Sequence, residues 1–328
     1  MTTSMTTPAD ALSRLADGYL ATQLLYVAVE LRLPESLAGP PRRADELAAE
    51  VGADPAVLRR VLRGLAAEGV LEELADGRFA LTAVGELLDA DHPSSMRGAV
   101  RARGGLYYTA LAGLLPATRT GGTPFELAHG RPFFAHLAAH PEQGAAFQAS
   151  MVARSRREAA GVVAAYDFSR FATLVDVGGG PGLLLAAVLA ANPGLTGTLF
   201  DRPEVVAGAE LPHVGGDFFA QVPPGADAYL LSRVIHDWDD AEATAILRTC
   251  RRAMPDTATL LLVEALLPER AAQDPAAVRM DLHMLALLHG RERTRREYAE
   301  LLAAAGLRLV RVVATGAGVH VIEACPEP

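Results

Sequence analysis

The sequence predicts an α/β protein in two parts: a Rossmann-like sheet in the C-terminal half, preceded by a mainly helical, winged-helix-like domain. Three observations carry this. After Asp167, short apolar runs alternate with helical stretches, the pattern of a sheet with crossover helices. One such run, Leu174-Val175-Asp176-Val177, passes through Gly178-Gly179-Gly180-Pro181-Gly182 into an apolar helix, a turn that brings backbone N–H groups close to a ligand. Between Arg42 and Leu88, two short helices precede a hairpin, which is the winged-helix order. The expected domains are residues 1–155 and 156–328.

The bulk numbers agree. A chain of 328 residues has room for two domains, and 50% hydrophobic with 21% charged residues is ordinary globular composition. A net charge of -9 opposes nucleic-acid binding as the main role, since phosphate-tracking surfaces carry a basic excess. Two cysteines, Cys250 and Cys325, form neither a disulfide framework nor a metal-ligand spacing. No secretory signal and no long uninterrupted apolar stretch is visible, so the expectation is a cytoplasmic protein without membrane partners.

Along the chain, roughly the first ten residues are Thr-rich and expected to fray. Apolar residues from Leu12 to Leu31 recur at helical spacing, predicting one helix over 11–33 that stops before Pro34. A short helix from Asp45 ends at Gly52; a second opens at Asp54-Pro55, with Leu58, Leu62 and Leu65 as its stripe. Leu71–Leu74 and Arg78–Leu81 flank Asp76-Gly77 as a hairpin. Arg59, Arg60 and Arg63 read as a solvated helix face. Residues 94–166 read as helices carrying aromatic and sulfur side chains. Strands are then expected at Leu174–Val177, Thr198–Phe200, Ala228–Leu231 and Thr259–Val263, with a closing hairpin of Arg308–Ala314 and Val319–Glu323.

The glycine turn departs from the dinucleotide G-x-G-x-x-G fingerprint, because Leu183 stands where the last glycine would be. Asp201 ends the next strand about 20 residues on, the position that receives ribose hydroxyls in nucleotide folds. Gly215-Gly216-Asp217-Phe218-Phe219 adds a third acid with adjacent aromatics, suited to an adenine.

With Phe125-Glu126-Leu127-Ala128-His129-Gly130, Val234-Ile235-His236-Asp237-Trp238 and Gly290-Arg291-Glu292-Arg293-Thr294, these motifs run in one order along nearly the whole chain. The chain so resembles the small-molecule O-methyltransferases of plant phenolic and bacterial polyketide pathways. The resemblance implies a seven-stranded methyltransferase sheet and S-adenosyl-L-methionine as cofactor. It also implies a homodimer formed through the N-terminal region, with Tyr19 and Leu24 near the partner, and a small aromatic substrate. By it, Gly178, Asp201, Asp217 and Phe218 would bind the cofactor, with Ser155 facing its methionine end. Ser232 stands where plant members often carry a lysine.

The resemblance makes His236 the general base, with Glu264 and Glu292 holding its ring. A phenol has a pKa near ~10 and imidazole near ~6.5, so free phenolate is scarce at neutral pH and a neutral imidazole is a suitable acceptor of its proton. The scheme requires no metal. Met280 and Met284 on one helix face, with Phe133, Phe147 and Met151, would line the acceptor slot. Asp281 and His283 form a rival acid–base pair. Two other readings stand beside this one: an enzyme of the same fold that uses the cofactor without methyl transfer, and a winged-helix DNA-binding regulator.

Overall fold

The computed structural model describes residues 7–327. Packing divides them into two units: the chain up to Ala112 with Pro141–Ser150, and Gly113–His140 with the chain from Met151 on. This differs from the expected split at 155/156. Helix Pro124–His129 packs on helix Pro275–Leu287, so Gly113–His140 belongs with the sheet. Among the described residues no helix is long and apolar enough to cross a membrane.

In the first unit the expected single helix is two, α1 (Pro8–Ala16) and α2 (Gly18–Glu30), because Asp17-Gly18 interrupts the helical run. Of the Thr-rich start, residues 1–6 lie outside the described residues. Thr7 is ordered into a capping box with Asp10 and starts α1. Helix α3 (Ala44–Val51) ends at Gly52, and α4 (Pro55–Ala67) begins where Asp54 accepts the Val57 N–H at 2.9 Å. Leu58, Leu62 and Leu65 turn inward onto Leu47, Val29 and Phe79. Strands Leu71–Glu73 and Arg78–Leu81 pair as expected, and Arg42–Arg43 adds a third strand against the second. Arg59 and Arg60 are exposed, and Arg63 meets Glu73.

The second unit holds a seven-stranded sheet. Its strands are β1 (Thr173–Val177), β2 (Thr196–Asp201), β3 (His213–Gly215), β4 (Ala228–Ser232), β5 (Thr259–Glu264), β6 (Leu307–Ala314) and β7 (His320–Pro326). Their order is β6-β7-β5-β4-β1-β2-β3, with only β7 antiparallel to its neighbours. Alternating side chains feed two cores. Val175, Val177, Tyr229, Leu231, Leu260 and Leu262 face helices Asp240–Ala253 and Arg295–Ala304. Leu174, Leu230, Leu261, Val263 and Val321 face Leu183–Ala191 and the C-terminal part of Pro141–Ala165. Parallel strands covered on both faces leave their carboxyl ends as the open edge where loops can build a site.

Candidate active site

At the carboxyl end of β1, Gly178 takes φ +71°, and a Cβ there would lie 2.8 Å from Val234 Cγ2 and 3.5 Å from the Phe218 ring. Only glycine tolerates both the dihedral and the approach. Asp176, two residues earlier on the strand, is 1% exposed with neither carboxylate oxygen hydrogen-bonded. Burial, and then the charge of Asp201, push it up to about 7. Such a carboxyl is costly unless a ligand brings a donor to it.

Asp201 closes β2. Its Oδ2 accepts the Gly180 N–H at 2.8 Å and its Oδ1 the Arg202 N–H at 2.7 Å, fixing the acid against the turn while each oxygen keeps a lone pair. Exposed Asp217 folds back on the Phe219 N–H at 2.8 Å. Phe218, Phe219 and Trp238 form an edge-on aromatic group, with Phe219 and Trp238 centroids 4.9 Å apart. Ser232 ends β4, and Ser155 lies half-buried on the helix of residues 141–165.

The histidine sits just past β4, on a single 3-10 turn of Ile235–Asp237, and is 6% exposed. Two short elements assemble its surroundings. Leu266–Leu267, extending beyond β5, pairs in parallel with Arg293–Thr294 and so brings Glu292 beside Glu264. Gly290 lies so close that a Cβ on it would be 2.0 Å from the His236 carbonyl oxygen. Arg293, wholly buried, donates to the carbonyls of Ile235 (3.0 Å) and Trp238 (2.9 Å) and to Asp240 (2.8 Å), clamping the turn from below.

Glu292 Oε1 lies 3.1 Å from His236 Nδ1, a hydrogen bond that leaves Nε2 as the unprotonated nitrogen of a neutral ring. Asp237 Oδ1 is 3.4 Å from Nε2. Glu264 does something other than expected. It is fully buried, and its Oε1 accepts the backbone N–H groups of Val234 (3.2 Å) and Ile235 (2.9 Å). Its Oε2 stays 3.9 Å from Nδ1, beyond hydrogen-bond length. Glu264 therefore holds the turn, and Glu292 alone holds the ring.

Burial opposes charge on His236, but Glu264, Glu292 and Asp237 outweigh it and raise its proton affinity above that of ordinary imidazole. Burial pushes Glu264 up to about 7. Burial acts the same way on Glu292, yet His236 and Arg233 hold it below the usual range. Ligand atoms of His236, Glu264 and Glu292 lie within 4.8 Å of one another. The guanidinium bonded to this group is that of Arg233, whose Nη1 donates to Glu292 Oε1 at 3.1 Å.

The remaining sequence-predicted residues divide. Met284 is 9% exposed and Met280 half-buried on Pro275–Leu287, with Arg154 Nη1 4.0 Å from the Met280 sulfur. Met151 is half-buried in the same unit. Phe133, 2% exposed, is packed edge-on between Phe125 and Phe134, more core than slot. Phe147 belongs to the first unit. Asp281 accepts the Glu292 N–H at 2.9 Å, a supporting contact, and stands two residues before His283 on the same helix. Sequence reasoning missed Arg233, Glu158, Gly290 and Arg293 as site residues. Arg233, at φ +56°, is one of two non-glycine residues in the left-handed region among the described residues, a signal visible only in the structure.

Residues 108–308 match an O-methyltransferase domain, and residues 13–91 match an O-methyltransferase dimerisation domain. The chain is 42% identical to phenazine O-methyltransferase PhzM of Lysobacter antibioticus, over 96% of this chain and 95% of that protein. It is 41% identical to O-demethylpuromycin-O-methyltransferase of Streptomyces alboniger, over 90% and 82%. Among solved structures it resembles the O-methyltransferase NcsB1 from neocarzinostatin biosynthesis, crystallised with S-adenosylmethionine and 2-hydroxy-5-methyl naphthoic acid. That likeness has a TM-score of 0.81 and 33% identity, and covers 93% of this chain and 96% of that one.

Proposed function

The chain belongs to the O-methyltransferase family, and from that premise we propose that it methylates a phenolic hydroxyl of an aromatic, polyketide-like natural-product intermediate, with S-adenosyl-L-methionine as cofactor and His236 as general base. The observation that carries the reading is the 3.1 Å contact between Glu292 Oε1 and His236 Nδ1, because it leaves Nε2 as the nitrogen able to accept a proton.

When bound, the cofactor supplies an electrophilic methyl on a sulfonium. The unpartnered Asp176 carboxylate fits its ammonium end, Asp201 keeps lone pairs for ribose hydroxyls, and Phe218 beside Gly178 offers an apolar face for adenine. Gly178, Asp217, Ser232 and Ser155 complete the proposed cofactor set. Nε2 of His236 takes the phenolic proton as the oxygen attacks, and Glu292 stabilises the imidazolium that forms. Glu264 and Arg293 keep the 235–238 turn in place, which matters because catalysis by alignment is lost over short displacements. Met280, Met284 and Met151 form the pliable wall for an aromatic ring, to which Phe133 adds a packed backing.

A homodimer is part of the proposal. Residues 13–91 match the dimerisation domain, and Leu12, Leu15 and Tyr19 are 68%, 79% and 52% exposed on α1 and α2. Leu24, by contrast, packs against Gly64 of its own unit.

The test is a panel of aromatic phenols incubated with methyl-labelled S-adenosylmethionine and read by product mass. A singly methylated ether at a phenolic oxygen is the expected product. Cofactor binding without any methylated product would favour the non-transferring enzyme instead.

A further inference from the structure

We propose that Arg233 is a positioning residue for the transfer reaction: its guanidinium shares Oε1 of Glu292 with Nδ1 of His236 and thereby keeps the imidazole in its proton-accepting form at neutral pH. The inference rests on His236 being the base.

The geometry is specific. Arg233 Nη1 and His236 Nδ1 each lie 3.1 Å from the same carboxylate oxygen, while Glu292 Oε2 has no hydrogen-bond partner. Arg233 is anchored from the other side by Glu158, with Nη2 at 2.7 Å and Nε at 3.3 Å. Glu158 is in turn held by Arg154 at 2.8 Å. The backbone of Arg233 sits at φ +56°, a conformation a non-glycine residue adopts only when its surroundings hold it there.

The charges around His236 make such a device necessary. Glu264 from β5, Glu292 from the segment after Pro275–Leu287 and Asp237 from its own turn all favour a charged ring, and an imidazolium cannot accept a proton. Asp281 adds a carboxyl behind Glu292, and the buried Tyr298 hydroxyl stands near Glu264 and Glu292. Against these stand Arg233, Arg154 and Arg293; Arg154 is itself paired with Glu158, and Arg293 is committed to backbone carbonyls and Asp240. Arg233 alone of the three bonds to the carboxylate that holds the ring.

The test titrates the histidines of the full chain by NMR, identifying His236 from the signal lost in His236→Gln, alongside the pH profile of kcat/KM. Arg233→Met is expected to raise the His236 midpoint by about one pH unit, and the acidic limb of activity with it. Glu158→Gln, which removes the anion facing Arg233, is expected to move both down. Arg233→Lys restores both midpoints toward the wild type. A role confined to holding the fold would lower activity at every pH without moving the midpoint, and that result overturns the proposal. So does a shift in the same direction for Arg233→Met and Glu158→Gln. If Arg233→Met does not fold, Glu158→Gln and Arg233→Lys carry the test. If the NMR midpoints move as stated while activity ignores them, Arg233 tunes the ring as proposed and the base assignment is what fails.

Discussion

Replacing Gly290 by alanine should disable the enzyme from a position that touches no reactant. An ideal Cβ on Gly290 falls 2.0 Å from the His236 carbonyl oxygen and 2.6 and 2.7 Å from the carbonyl carbon and Cα of Asp237. Carbon and oxygen come no closer than about 3.3 Å even in favourable C–H···O contacts, so the two backbones must part by about 1 Å. All three atoms are main chain, and no rotamer change relieves the clash. That main chain carries His236, the proposed base, and a misplacement of about 1 Å costs about 10²-fold in rate. Overpacking itself should cost about 1–3 kcal/mol of stability. The assay is kcat at saturating S-adenosylmethionine and acceptor, with calorimetric cofactor affinity as the control. The expected result is a kcat reduced about 10²-fold with cofactor affinity little changed, because the glycine turn after β1 is a separate segment. A Gly290→Ala enzyme that folds and keeps wild-type kcat would refute the claim that this contact sets the position of His236.

The other predictions separate the roles of the surrounding residues. Glu292→Gln should lower kcat about 10²-fold, within the range of a lost charge-stabilising contact, and shift the acidic limb of kcat/KM to lower pH. Glu264→Gln, whose amide oxygen can still accept the Val234 and Ile235 N–H groups, should be milder; parallel pH profiles of the two variants check this. In the wild type that limb should lie above the ordinary imidazole value near ~6.5, because the proposed base, His236, works only when neutral and its pKa is raised, so activity appears as pH climbs through it. Arg293→Leu should destabilise the protein by about 3 kcal/mol in denaturant titration, since two carbonyls and Asp240 lose their buried donor. Asp176→Asn should stabilise the cofactor-free protein at neutral pH while weakening S-adenosylmethionine at least about tenfold. The sign follows from Asp176 being raised to about 7: between the unfolded carboxyl pKa and that value the folded chain holds a proton the unfolded chain has released, so stability falls as pH rises. Thermal melts of both proteins across that window, with and without cofactor, test it.

Local signals were legible in the sequence and distant ones were not. The Gly178–Gly182 turn, the Asp54 cap and the Asp76-Gly77 hairpin each depend on a few consecutive residues, and each appears where the sequence places it. Strands Arg42–Arg43 and β3 were missed because both are short, largely exposed edge strands without apolar alternation. The break at Asp17-Gly18 was hidden by an apolar period that continues on either side of it. Arg233 and Glu158 stand 75 residues apart, and each looks like a solvated charge until a helix and a strand end are brought together. Gly290 and Arg293 were visible as motif letters, but what they press on is the main chain of a turn more than 50 positions away. Glu264 was found with the wrong contact. Its proximity to the histidine follows from strand order, whereas which of its oxygens meets which donor depends on the shape of the 3-10 turn.

The most direct test of His236 as base compares single-turnover methyl transfer by wild type and His236→Gln over a series of phenols of graded acidity. A loss of about 10²–10⁴-fold for phenols near the ordinary phenolic pKa, shrinking toward none as the acceptor becomes acidic enough to ionise unaided, is the result expected of a proton acceptor. A variant that transfers methyl to the least acidic phenol as fast as the wild type, or loses the same factor across the whole series, would contradict it.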